Sequence, residues 1–92
     1  MTVTVLIPAP LRRFTNELSS VQIDASTVGE ALTALDAQFP GIRDRICDAD
    51  GRLRRFVSVF VNGRDVRALQ GLETPLREGD EVGIIPAMAG GR

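Results

Sequence analysis

Ninety-two residues and 9.9 kDa hold one domain, because a chain of this size buries only roughly 60–65% of its unfolded surface and a second unit would lack a core. The composition is 43% hydrophobic and 25% charged, which excludes disordered and fibrous classes, and the absence of His, Lys, Trp and Tyr removes imidazole proton transfer, Ser–His catalysis and Schiff-base chemistry. Eleven arginines against twelve acidic residues give a net charge of −1, too balanced for a protein whose main task is to grip nucleic-acid phosphates.

Residues 2–7 alternate, with Val3, Val5 and Ile7 on one face and Thr2, Thr4 and Leu6 on the other, which predicts a strand ended by Pro8 and Pro10. Val21, Ile23 and Ala25 repeat the alternation after a long polar connection, so the two strands are expected to pair antiparallel. Thr27 and Glu30 have the spacing of a capping box, in which both side chains accept from unpaired amides at a helix start. Val28, Ala31, Leu32, Leu35 and Phe39 then form a helical stripe, with Glu30, Thr33, Asp36 and Gln38 toward water and Pro40-Gly41 as the stop.

Residues 42–55 read as charged and turn-rich, with Asp50-Gly51 as the strongest turn dipeptide. Residues 56–61 predict a strand with Val57, Val59 and Val61 on one face and Phe56, Ser58 and Phe60 on the other. It ends in the hairpin dipeptide Asn62-Gly63. A short strand over 65–67, an irregular connection over 68–76 and the turn Glu78-Gly79-Asp80 lead to a last strand. There Val82 and Ile84 share one face and Gly83 and Ile85 the other.

This order describes an α+β mixed sheet with one main helix packed on one face, in a single domain over 1–92 whose residues 86–92 form a C-terminal tail. The uncovered face carries Leu6, Phe56, Phe60 and Ile85, more apolar surface than a solvated face usually shows, and these four are the candidate partner interface. The competing reading buries Phe56 or Phe60 beneath the 8–20 connection.

The tail is Pro86-Ala87-Met88-Ala89-Gly90-Gly91-Arg92. Pro86 has no amide hydrogen and is expected to release the chain from sheet pairing. Ala89, Gly90 and Gly91 have almost no bulk, and the stretch from 86 to 91 extends to about 20 Å. Such a segment can enter a narrow tunnel in a partner's active site, although a terminal Gly-Gly taken alone is usually a frayed end.

The context is more specific. Thr27-Val28-Gly29-Glu30-Ala31-Leu32, Phe56-Val57-Ser58-Val59-Phe60-Val61-Asn62-Gly63, Glu78-Gly79-Asp80-Glu81-Val82 and Ile85-Pro86-Ala87-Met88-Ala89-Gly90-Gly91, in this order, resemble the ThiS/MoaD family of ubiquitin-like sulfur carriers over essentially the whole chain. The opening Val3-Thr4-Val5-Leu6-Ile7-Pro8, the strand from Phe56 to Asn62 and the Pro-Ala-Met-Ala-Gly-Gly tail are most similar to the CysO type, which serves cysteine biosynthesis in actinobacteria. The resemblance implies the β-grasp fold and a carrier rather than an enzyme. It implies that an activating enzyme adenylates the terminal Gly91 carboxylate with ATP and that sulfur then displaces AMP to leave a thiocarboxylate. No cofactor or metal would be bound by the carrier itself. A cysteine synthase or another sulfur-acceptor enzyme would be the second partner.

Arg92 departs from the family pattern, because Gly91 has a free carboxylate only without it. The expectation is that Arg92 is removed, with a JAMM-type zinc peptidase as a possible partner, or is an addition to the natural sequence; a chain that keeps it would not carry sulfur in this form. Within the same chemistry the alternatives are a molybdopterin synthase small subunit and a carrier for thiamin or thiosugar synthesis. Outside it stand a protein modifier joined to lysines and a non-carrying β-grasp binding module.

The remaining motifs read as structural. Arg43, Arg45, Arg52, Arg54 and Arg55 alternate with Asp44, Asp48 and Asp50, which suggests solvated ion pairs, and Arg12 and Arg13 are read the same way. Asp48-Ala49-Asp50-Gly51 has calcium-loop spacing only superficially, since the first and last ligands would be Ile46 and Val57. A lone Cys47 closes no internal disulfide and is expected to pack as a small apolar residue. With neither a basic leader nor a membrane-length apolar run, the expected location is cytoplasmic.

Overall fold

The computed structural model describes residues 1–86. Its strands are β1 (Thr2–Leu6), β2 (Ser20–Asp24), β3 (Val57–Val61), β4 (Arg64–Asp65) and β5 (Glu81–Pro86), and its helices are α1 (Val28–Gln38) and the single turn α2 (Arg43–Ile46). The strands form one sheet in the order β2-β1-β5-β3-β4. β1 and β2 pair antiparallel with Val3 opposite Ile23 and Val5 opposite Val21, as the alternation predicts. β5 enters between β1, to which it is parallel, and β3, to which it is antiparallel. This is the mixed sheet with one main helix across one face that the resemblance implies.

The period of two decides which side chains meet α1. Val3, Val5, Val21, Ile23, Val57, Val59, Val61, Val82 and Ile84 are all buried against Val28, Ala31, Leu32 and Leu35 in one core cluster. The helix starts where the capping residues predict, but the second bond shifts by one residue. Thr27 Oγ1 accepts from the Glu30 N–H at 3.1 Å, whereas Glu30 Oε1 accepts from Ser26 rather than Thr27, at 3.0 Å. At the other end Asp36 does not simply face water: its Oδ1 accepts from the Gly41 and Arg43 amides at 3.1 and 3.0 Å and fixes the chain reversal.

Three further expectations are corrected. The charged stretch 42–55 contributes to the core, because α2 and the residue before it place Ile42 and Ile46 four apart on one buried side, next to buried Cys47. The strand after Asn62-Gly63 is the two-residue β4, and Val66–Ala68 turns instead into a 3₁₀ helix that buries Val66. The 8–20 connection is not irregular throughout but holds a 3₁₀ helix at Ala9–Phe14 whose Leu11 is buried and whose Phe14 packs against the core, and it leaves Phe56 exposed.

Asn62 and Gly63 have φ of 51° and 85°, both left-handed, which a two-residue hairpin turn of the right twist requires. Among the described residues no helix is long and apolar enough to cross a membrane.

Candidate functional site

β5 brings the chain to one end of the sheet. Val57 is the register partner of Pro86, so Pro86 is still paired within β5 and does not release the chain from the sheet. A proline fits there because a terminal strand residue need not donate. Ala87, Met88, Ala89, Gly90, Gly91 and Arg92 lie outside the described residues.

On the face away from α1, the pairings place Leu6, Gly83 and Phe60 side by side across β1, β5 and β3. Ile85 is next along β5. Leu6 is 40% exposed and Ile85 57%, with Phe60 half-buried, so three of the four interface residues named from sequence form one open apolar patch. Its middle is hollow. Gly83 leaves a trough of about 410 Å³ with Leu6, Phe60, Gly63, Glu81 and Ile85, and a second hollow of about 530 Å³ shares Leu6, Gly83 and Ile85 and extends past Pro8 to Arg12.

The second hollow exists because the parallel ladder stops early. The Thr4 amide donates to the Asp80 carbonyl at 2.9 Å, and the last matched pair is Leu6 with Gly83. Donors recur at every second residue, and the next on β1 would be residue 8, a proline without an N–H. The last residues of β5 therefore run on beside open space.

Phe56 is the fourth interface residue and stands apart. It precedes β3, is 65% exposed, and lines a separate hollow with Asp48, Arg54, Arg55 and Val57, where the Arg55 guanidinium lies 5.5 Å from its ring centroid. Neighbouring arginines behave alike. Arg13 and Arg45 lie 5.1 and 5.6 Å from the Phe14 ring centroid, Arg54 donates to the Asp44 carbonyl, and Arg67 donates to the carbonyls of Val57 and Arg54. The expected ion pairs do not form. The one carboxylate–cation contact within 4 Å among the described residues joins the Met1 amino group to Asp24, which holds that amine above its ordinary value.

Among the described residues no Cys, His or Lys lines the patch. Cys47 is buried behind α2, and burial pushes its thiol up despite nearby Arg43, which makes it a poor nucleophile. Among the described residues no group of three or more His, Cys, Asp or Glu is placed to hold a metal. Asp48 Oδ1 accepts from the Asp50 and Arg52 amides, so the calcium-like spacing is a turn closed on itself. Sequence reasoning missed Gly83 and Arg12 as parts of the site. An unbroken alternation that places Gly between Val82 and Ile84 was the available signal for the first; the second had none.

The geometry is thus an ubiquitin-like β-grasp domain whose sheet presents an apolar trough beside the exit of its C-terminal segment. The chain belongs to the ThiS family, which it matches over residues 5–91. It is 44% identical to the sulfur carrier protein CysO of Mycobacterium tuberculosis, covering 99% of this chain and 100% of the relative, and the crystal structure of that protein superimposes with a TM-score of 0.89 over 94% of this chain and 99% of the other. The CysO crystallised in the Amycolatopsis orientalis BexX/CysO complex is 40% identical, with a TM-score of 0.91 over 97% of this chain and 99% of that one. Small archaeal modifier protein 3 of Haloferax volcanii is 41% identical over 74% of this chain and 73% of its own length. The family and these relatives support a sulfur-carrier role.

Proposed function

We propose that this protein carries sulfur as a thiocarboxylate on Gly91. Arg92 is first removed, by a zinc peptidase of the JAMM type if it belongs to the natural chain. An activating enzyme then joins the Gly91 carboxylate to the AMP portion of ATP with release of pyrophosphate. A sulfide-level sulfur attacks the carbonyl carbon, the bond to AMP breaks, and the thiocarboxylate remains. In the cytoplasm this sulfur passes to an acceptor enzyme, with a cysteine synthase as the first candidate, and the BexX/CysO complex supports a protein resembling BexX as a partner.

The observation that carries this reading is where β5 ends. β5 ends at Pro86 next to the Leu6–Phe60–Ile85 patch, so an enzyme docked on that patch lies beside the point from which Ala-Met-Ala-Gly-Gly follows in sequence. Holding sulfur on a slim arm avoids release of free sulfide, and the folded part supplies recognition while the partners supply catalysis. The lack of catalytic side chains suits this division of labour.

The test is the intact mass of untagged protein from its own cells, with fragmentation of the C-terminus. Loss of Arg92 and exchange of one terminal oxygen for sulfur support the carrier. Retention of Arg92 with no modified form, even after incubation with an activating enzyme and ATP, overturns it in favour of a non-carrying module. The archaeal modifier relative keeps a second reading in view. Gly91 joined to lysines of other proteins, found as a C-terminal remnant after digestion, would favour that reading.

A further inference from the structure

We propose that the trough along β5 receives one partner segment that sets an apolar side chain over Gly83 and a carboxylate against Arg12. The proposal rests on the carrier reading and states what the enzyme receiving the tail must present.

Gly83 has no internal explanation. A glycine inside a strand is destabilising relative to alanine, so its presence needs a reason. Backbone conformation is not the reason, because Gly83 is absent from the glycines of positive φ among the described residues. Crowding is not the reason either, since a Cβ built at Gly83 meets nothing within 4 Å. A strand glycine free of both demands marks a place where atoms from outside come close. Leu6 and Phe60 stand on either side of it in register and form the walls of a hole that fits one apolar side chain.

Arg12 supplies the charge. Its Nε donates to the Ile7 carbonyl at 3.0 Å, which holds the half-buried guanidinium against the end of β1. No carboxylate lies within 4 Å of it among the described residues, and no acceptor among them engages its Nη atoms. A guanidinium anchored through Nε turns its remaining N–H groups outward as a fork that fits a carboxylate. Because Leu6, Gly83 and Ile85 line both hollows, the hole and the fork belong to one groove, with its charged end where the ladder stops at Pro8.

The experiment titrates the full chain with purified Amycolatopsis orientalis BexX at about 50 mM salt, where exposed charge pairs are weakly screened. Gly83→Val and Arg12→Gln are each expected to raise Kd about tenfold or more with the thermal midpoint retained, and Arg12→Lys is expected to recover only part of the loss because it lacks the fork. Unchanged Kd in Gly83→Val and Arg12→Gln, or no binding by the unaltered chain, overturns the proposal. So does broadening of the Gly83 amide resonance by a nitroxide at Arg92→Cys in the free protein, which would make the chain's own tail the occupant. The two readings fail separately: a chain that binds BexX through this groove yet never gains a thiocarboxylate sinks the carrier, whereas a chain that gains it while both variants bind normally sinks the groove.

Discussion

Asn62 clamps the hairpin turn to the start of β5 through Asp80. Its Nδ2 donates to Asp80 Oδ1 at 2.9 Å, its own Oδ1 accepts from the Glu81 amide at 2.9 Å, and Asp80 Oδ2 accepts from the Arg77 amide at 2.8 Å. These bonds to the ionised form, that from the Arg77 backbone first and that from Asn62 second, hold the Asp80 carboxyl below its ordinary value of 3.8. Asp80 therefore favours the fold above that ordinary value, and the contribution is lost as pH falls through the lowered one. Asn62→Ala removes both side-chain bonds and puts alanine, which tolerates the left-handed region less well than asparagine, at φ 51°. It is expected to cost about 1–2 kcal/mol in urea unfolding, and a carboxyl-carbon NMR titration should show Asp80 moving back toward its ordinary value. An unmoved titration would detach the shift from Asn62.

Thr27 starts the only long helix among the described residues, and the same turn is bonded to the segment before β5, since the Val28 amide donates to the Thr74 carbonyl and the Leu76 amide to the Ser26 carbonyl. Thr27→Ala should cost about 1 kcal/mol, and Glu30→Ala less, because Glu30 caps only the exposed Ser26 amide. Chemical denaturation of the two variants ranks them; the reverse order would contradict this assignment of the cap.

Phe60 and Leu35 separate recognition from stability. Leu35 is fully buried, so Leu35→Ala should cost about 2–5 kcal/mol, a large share of what a small domain has. Phe60→Asp keeps its polar group on the open face and should shift the thermal midpoint by only a few degrees, on the order of 1 kcal/mol, while sharply reducing thiocarboxylate formation. Unfolding of Phe60→Asp would place Phe60 in the core instead.

Cys47 should resist iodoacetamide at neutral pH in the folded protein and react once denatured, because the thiol is both buried and pushed up. The Cys47→Ala chain should still acquire sulfur at Gly91. Failure of the folded variant to do so would make Cys47 a relay thiol.

Much of this architecture was legible in the residues, and the gaps have physical causes. Strict alternation in β1, β2, β3 and β5 named the core strands, and Asn62-Gly63 named its turn, because period and positive φ are local properties. The parallel pairing of β1 with β5 is not local: no residue pattern reports which distant strand will be the neighbour. Ile42 and Ile46 were hidden by the Arg and Asp around them, since a single helical turn is too short for a stripe. Phe56 has the parity of Phe60, but parity holds only inside a strand, and β3 begins after it. The patch was visible as Leu6, Phe60 and Ile85; the hollow between them needed the register.

The central position of β5 couples the readiness of this molecule to its completeness. β5 is last in sequence among the five strands yet lies between β1 and β3 in space, so the sheet closes only when the final segment has been made and inserted. During synthesis β1 waits without its parallel neighbour through the intervening chain, a delay typical of long-range pairing. A chain that stops before β5 then lacks the middle of the sheet and the floor of the trough together. A partner that recognises the trough would thereby engage only chains whose last strand has been made and inserted.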